Sequence, residues 1–156
     1  HRHAHRSLTC QACLTSRRLI DALVFSHVRY CVQVYGSANQ TMLAKLQKVF
    51  NFAARVLSGR RKYDHISDVL RQLGWLDAQR FVMFSDVCML QKILLCGEPG
   101  AIRSCLIYNH ETTHRTTRQS NHLSLERARN NHGKRMFAYR ASSAYNQCVI
   151  SNGIDG

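Results

Sequence analysis

The spacing of apolar residues along the chain predicts a series of helices, and the clearest of them lies in residues 43–62, LAKLQKVFNFAARVLSGRRK. Apolar residues recur there at alternating steps of three and four, which places them on one face of a helix. This stripe consists of Leu43, Leu46, Phe50, Ala53 and Leu57, widened by Ala54 and flanked by Met42 and Val49. Gly59 is expected to end the helix in a left-handed conformation.

Similar patterns predict four further helices before the C-terminus, so the fold class is mainly α. They cover residues 17–35, 66–73, 77–95 (with Asp77 as N-cap) and the short stretch 102–108. We expect the stripe of residues 43–57 to bury against the helices 17–35 and 77–95. The predicted organisation is a loose His-rich segment (1–15), a small helical bundle (16–108), a basic and partly irregular arm (109–133), a closing helix (134–149) and a tail (150–156).

The chain is strongly basic. It contains 22 Lys and Arg residues and 9 Asp and Glu residues, which gives a formal net charge of +13. A chain this basic repels itself unless a polyanion relieves the repulsion, so nucleic acid is the first candidate partner and an acidic membrane surface the second. The most apolar run, LIDALVFSHVRYCVQVY, is interrupted by charged and polar residues and is not expected to span a bilayer. Of the two candidates we expect nucleic acid and no membrane.

The number and placement of the cysteines indicate the cellular compartment. There are seven of them, an odd number, and most lie in apolar helical stretches. This usage suits a reducing environment, so we expect the nucleus and/or the cytoplasm rather than secretion. The chain starts with HRHAHR and has neither an initiator Met nor a signal-peptide pattern. We therefore expect it to be a fragment, a processed piece or the product of an incomplete gene model.

Catalytic patterns are weak. The acidic residues are scattered, with no D-x-D, so the clustered carboxylates of a two-metal polymerase or nuclease are not expected in this chain. Asp64 and Asp68 are one helical turn apart, a spacing more often used for capping. Cys10 and Cys13 form a C-x-x-C near several histidines, but a structural zinc usually needs a second such pair, so zinc binding stays open.

Two groups of cations are the candidate nucleic-acid-binding residues. The first comprises Lys45, Lys48, Arg55, Arg60, Arg61 and Lys62, and the second comprises Arg115, Arg118, Arg127, Arg129, Lys134 and Arg135. Interleaved Thr, Asn and Gln in the second group suit phosphate oxygens, and Tyr139 and Tyr145 offer stacking faces. The alternatives are a solvated charged face for the first group and a flexible charged tail for the second.

Five segments resemble, in order, conserved stretches of non-LTR retrotransposon polyproteins of the jockey-like and tick types. They are SHVRYCVQVYG, LAKLQKVFNFAARVLSG, ISDVLRQLGWLDAQR, MLQKILLCGEPGAI and HRTTRQSNHLSLERARNNHGKRMFAYRASSAYN. Order and spacing hold from about residue 20 to residue 147. The departures are Tyr35 and Tyr145 where Trp is usual, Glu126 where Pro is common, and Gln147 and Cys148 in place of a final Leu-Pro.

The resemblance implies the region downstream of a reverse transcriptase palm, with residues 16–108 as a thumb-like subdomain. Its partners would be template–primer RNA and DNA and the upstream palm and fingers of the same polyprotein. Mg²⁺ would be held by the Y-x-D-D carboxylates of that palm, so this chain is expected to have no catalytic residue and no cofactor of its own. The alternatives are a stand-alone basic helical nucleic-acid-binding protein, a helical protein-interaction module and a degenerate transposon remnant.

Overall fold

A computed structural model describes residues 11–112 and 118–151, and these residues are mainly helical, as predicted. The helices are α1 (Gln11–Ile20), α2 (Ser26–Arg29), α3 (Val32–Tyr35), α4 (Gln40–Ser58), α5 (Ser67–Gln72), α6 (Ala78–Cys96), α7 (Gly100–Arg103), α8 (Asn109–Thr112), α9 (Asn131–Arg135) and α10 (Phe137–Ser151), with a π-helical turn at Asp21–Phe25 between α1 and α2. In this part of the chain, extended pairing is confined to one isolated antiparallel bridge, between Tyr108 and Leu123.

The chain forms two compact units. Unit 1 contains the described residues up to Val32 together with Ala38–Phe81. Unit 2 contains Gln33–Ser37 and the described residues from Val82 onward. The division differs from the predicted one, since it falls inside α6 and not at residue 108.

The core of unit 1 is built on the predicted stripe of α4. Phe50, Ala53 and Leu57 are buried. The Phe50 ring centroid lies 5.1 Å from that of Phe25 and 5.7 Å from that of Phe81. The stripe therefore packs against the segment before α2 and the start of α6, which confirms the expected partners.

A second cluster in unit 1 closes the other end of α4 with α5. Ile66, Val69 and Leu73 are buried there beside Leu57, and Trp75 packs against the cluster from its edge. Trp75 also belongs to the surroundings of Phe25 in the first cluster, with a centroid distance of 4.7 Å between the two rings. The single tryptophan of the chain thus joins both parts of this core.

The predicted helix ends at Gly59 and Asp77 are confirmed. Gly59 has a φ of 67° after α4. Gly97 has the same left-handed conformation after α6, with a φ of 74°. Asp77 Oδ1 accepts a hydrogen bond of 2.8 Å from the backbone N–H of Arg80, which is an N-cap of α6. Asn39 caps α4 in the same way, accepting from the N–H of Met42 at 3.0 Å.

The N-terminal region differs from its prediction. Of the segment expected to be loose, residues 11–15 are helical, and residues 1–10 lie outside the described part. A tertiary hydrogen bond anchors this helix, because the Arg17 guanidinium in α1 donates to the Leu73 carbonyl at 3.2 Å. The helix predicted over 17–35 is interrupted where Tyr30 is extended and Cys31 has a φ of 52°, shortly before the chain leaves unit 1.

Unit 2 has its own core, formed by Leu90 and Ile93 of α6, Leu106, Leu123 and Ala141 of α10. Leu123 lies in the predicted basic arm, yet only 1% of its surface is exposed. The arm is therefore not a separate element. The apolar residues that fold it into the core are too sparse to show a helical or strand period.

Asn146 fixes the arm to α10. Its side-chain oxygen accepts from the Leu123 N–H at 2.9 Å, and its amide donates to the Leu123 carbonyl, also at 2.9 Å. The Ser124 N–H donates to the Ile107 carbonyl at 2.7 Å on the next residue of the arm. The closing helix predicted for 134–149 is interrupted at Met136, which has a ψ of 146° and separates α9 from α10.

Among the helices within residues 11–112 and 118–151, none combines the length and the apolar character needed to cross a lipid bilayer.

Candidate nucleic-acid interface

The outer face of α4 presents Lys45 and Lys48, and both side chains are exposed. Residues three apart lie side by side on a helix, so the two ammonium groups share one surface. None of the 19 residues of α4 is acidic, so no carboxylate of the same helix neutralises them. This face therefore attracts anions.

The first arginines of the basic group stabilise the loop that follows α4. Arg55 Nη2 donates to the Asp64 carbonyl at 3.3 Å, and Arg60 Nη1 donates to the His65 carbonyl at 2.6 Å. The backbone N–H of Arg61 donates to Asp64 Oδ2 at 2.9 Å. Arg55 and Arg60 are half-buried and hold the loop in place, in contrast to the freely exposed cations that the sequence suggested.

The tip of this loop, residues 61–63, is exposed and carries basic and aromatic side chains. Arg61 and Lys62 are exposed, and Tyr63 is 88% exposed. The Lys62 ammonium lies 5.5 Å from the centroid of the Tyr63 ring, within the range of a cation–π contact. Because Arg55 ties this loop to α4, the tip is held in the same unit as Lys45 and Lys48.

The outer face of α4 also carries apolar side chains. Phe52 is 68% exposed, and Met42, Val49 and Val56 are exposed as well. Met42, Val49 and Val56 are spaced by seven, so they form a second stripe beside the buried one. Sequence reasoning missed it because Met42 and Val49 were interpreted as flanks of the buried stripe. The period of seven was the available signal.

The second group of cations belongs to unit 2. Arg118, Arg127, Arg129 and Lys134 are exposed, and Arg115 lies outside the described residues. Arg135 is half-buried, and its carbonyl accepts a hydrogen bond of 2.8 Å from Arg140 Nη1. Most of the described members of this group are thus accessible to a polyanion.

Unit 2 also contains a buried ion pair. Asp86 of α6 is fully buried, and Arg140 of α10 contacts both of its carboxylate oxygens, through Nε at 2.5 Å and Nη2 at 3.0 Å. Arg140 Nη2 also donates to the Gln33 carbonyl at 3.2 Å. One guanidinium therefore links α6, the Gln33–Ser37 segment and the end of α9.

Burial raises the pKa of the Asp86 carboxyl, against the opposing effect of its hydrogen bond and charge interaction with Arg140. With every nitrogen of Arg140 bonded, the pair is suited to hold structure. The signal in the sequence was a single acid inside an otherwise apolar helical run, FVMFSDVCML, with an arginine in the closing helix.

The two tyrosines expected to offer stacking faces have different surroundings. Tyr145 is half-buried and packs on the core of unit 2, so its ring is committed to packing. The pKa of the neighbouring Tyr108 hydroxyl is raised, first by burial and then by its interaction with Tyr145. Tyr139 is half-buried and lines an open cavity.

No group of three or more His, Cys, Asp and Glu side chains that could hold a metal ion occurs in the described part of the chain. The described residues thus offer no cluster that fits a pair of Mg²⁺ ions, and the expectation that Mg²⁺ belongs to a palm domain stays a prediction. Cys10 lies outside the described residues, as does the side chain of Cys13, so zinc binding by this pair stays open.

Comparisons of the chain with protein-family models, with curated proteins and with solved structures found no match.

Proposed function

We propose that this chain grips the template–primer duplex for an RNA-directed DNA polymerase of the non-LTR retrotransposon type and is non-catalytic by itself. The observation that carries the proposal is the exposed pair Lys45 and Lys48 on a helix without acidic residues, together with the basic tip at Arg61 and Lys62 in the same unit. The ordered resemblance of five segments supports the polymerase context.

The chemistry of the surface favours contacts with phosphates. Lysine ammonium groups bind phosphate as mobile point charges and do not read base edges in a fixed geometry. A polymerase must copy any sequence, so sequence-independent contacts with the backbone suit this task. The exposed cations of unit 2, among them Arg127 and Arg129, extend the same chemistry to the second unit.

In this proposal the upstream palm and fingers of the same polyprotein supply the carboxylates, the Mg²⁺ ions and the polymerisation step. This chain supplies affinity and register on the duplex. Its partners are therefore RNA and DNA in the nucleus and/or the cytoplasm.

The test is binding to a fluorescently labelled RNA–DNA hybrid, measured by anisotropy over a series of salt concentrations. Substituting Lys45→Gln and Lys48→Gln together should weaken binding and reduce the slope of log K against log salt by about two units, one for each lost phosphate contact. Lys92→Gln is the matched control, because Lys92 is exposed on α6 and lies outside both predicted groups.

An unchanged affinity and slope in the double variant would show that the basic face of α4 is only a solvated surface. An equal loss per charge removed in the Lys92 variant would show that general net charge, and not this face, drives binding.

A second candidate function is supported by the exposed apolar stripe of Met42, Val49 and Val56 with Phe52 beside it. Such a stripe suits a partner helix in a protein-interaction module. Self-association or partner binding that is insensitive to salt, and is lost in Phe52→Ser, would favour the interaction module over the nucleic-acid interface.

Sequencing the genomic DNA and the transcript upstream of the His1 codon separates a polymerase segment from a stand-alone protein or a transposon remnant. An open reading frame that continues into a Y-x-D-D-bearing palm supports the proposal. A nearby stop or start codon supports a stand-alone basic protein or a degenerate remnant.

A further inference from the structure

A cavity of about 490 Å³ opens on unit 2 beside the exposed cations of the arm. Ala101 and Ile102 of α7, Cys105, the stretch 124–128 and the first turn of α10 contribute to its wall. This volume falls within the range of pockets that bind small organic groups, roughly 300–1,000 Å³.

The wall of the cavity is mostly apolar and includes two aromatic side chains. Ile102, Leu125 and Phe137 line it, together with Tyr139. Flat aromatic faces in an apolar pocket stack with nucleobases of any sequence. The lining thus suits a planar heteroaromatic group.

Polar groups are few and well placed for such a ligand. Ser142 is only 3% exposed and lines the cavity, as do Ser124 and Glu126, so hydroxyl and carboxylate groups are available to the edge of a base. Arg127 also lines the cavity and is exposed. The cavity therefore offers one guanidinium group to a phosphate beside an inserted base.

We infer that this cavity takes an unpaired nucleobase from the single-stranded part of a bound nucleic acid, while Arg127 contacts an adjacent phosphate. The inference rests on the proposed function and adds a subsite to it. A base within a duplex is paired and stacked, so the ligand is a single strand and not the hybrid itself.

Cys105 provides a direct readout, since it lines the cavity and its side chain is exposed. Alkylation of the full chain by iodoacetamide, followed site by site with mass spectrometry, would be compared with and without a short single-stranded oligonucleotide. A second oligonucleotide has the same sugar–phosphate backbone and abasic sugars throughout. Cys31, Cys88 and Cys96 are exposed outside the cavity and serve as internal controls.

We expect the normal oligonucleotide to protect Cys105 and to bind about tenfold more tightly than the abasic one at the same salt slope. The control cysteines should stay reactive. Ala101→Leu, at an exposed position in the cavity wall, should abolish the protection and the affinity difference, whereas Ala44→Leu on the surface of α4 should change neither.

The failures are distinguishable. If neither oligonucleotide nor the RNA–DNA hybrid binds, the proposed function is overturned together with the inference. If both oligonucleotides bind equally and Cys105 is alkylated at the ligand-free rate, the inference alone is overturned. Protection of Cys105 by a leucine-rich peptide, and by neither oligonucleotide, would overturn it in favour of a protein ligand.

Discussion

Arg140 and Asp86 form a bidentate ion pair in unit 2, with the carboxylate fully buried and the guanidinium also bonded to two backbone carbonyls. The pair lies 54 residues apart in the chain, so it joins elements that have no local connection. Because a buried charge without its partner is costly, the pair should control the stability of the unit that carries most of the predicted arm.

Arg140→Gln should destabilise unit 2 by about 3–5 kcal/mol, since it leaves the Asp86 carboxylate buried without a cation. Amide hydrogen exchange at Leu90 and Ile93, both in the core of unit 2, measures the loss. Arg129→Gln is the exposed control and should cost no more than about 0.5 kcal/mol.

Replacing both partners, with Asp86→Leu and Arg140→Met, should cost less than Arg140→Gln alone. No charge then stays buried, although the carbonyls of Gln33 and Arg135 lose a donor. A double variant that is less stable than the single one would show that an unpaired Asp86 carboxylate is not the main cost of losing Arg140.

Asn146→Ala should release the Leu123 backbone from α10, because both hydrogen bonds of the amide are lost. We expect faster hydrogen exchange of the Leu123 amide and a loss of about 1–3 kcal/mol. Gln91→Ala, at an exposed position of α6, is the control. Unchanged protection at Leu123 would show that packing alone holds this part of the arm.

Gly59→Ala should cost about 1 kcal/mol, because Gly59 has a φ of +67°, which L residues rarely adopt. No atom lies within 4 Å of the added methyl group, so the cost is one of backbone conformation and not of a clash. Gly100→Ala has equal space and no positive φ, so it should be neutral or slightly stabilising. The melting temperatures of both variants, measured by thermal unfolding, test this difference.

Alkaline pH should destabilise the fold through two tyrosines. Burial raises the pKa of Tyr35, and burial with the Tyr145 hydroxyl raises the pKa of Tyr108. The folded chain therefore holds these protons more tightly than the unfolded chain, and stability falls as the pH rises above the ordinary value of 10.0.

Urea unfolding measured from pH 9 to pH 11 tests this dependence, since the window begins about one unit below the ordinary tyrosine pKa. Tyr35→Phe and Tyr108→Phe should each flatten the decline. Tyr63→Phe, at a side chain that is 88% exposed, should leave it unchanged. Identical curves for all three variants would assign the decline to other groups.

Local signals in the sequence accounted for much of unit 1. The strong 3.6-residue periodicity of apolar residues predicted the buried stripe of α4. The cap residues Asp77 and Gly59 were predictable because helix capping depends on the residues immediately next to the helix end. The interruption at Cys31 had no local signal, since neither Gly nor Pro occurs there. The chain passes from unit 1 to unit 2 just after this position. Where that passage occurs depends on the tertiary structure.

The candidate site was predicted in part. Exposure of Lys45 and Lys48 follows from their position on the polar face of α4, which a helical pattern shows. The use of Arg55 and Arg60 to hold the following loop depends on where the loop carbonyls lie, and no pattern of residue types reveals that. The cavity beside Tyr139 likewise depends on how three separate segments meet.

The Gln33–Ser37 segment belongs to unit 2 although the chain on both sides of it belongs to unit 1. Neither unit is therefore a continuous piece of the gene. A protein truncated between Phe81 and Val82 would separate Arg140 from the carbonyl of Gln33 that it binds. The proposed contacts with nucleic acid are thus best tested by point substitutions, because deletions would damage both units at once.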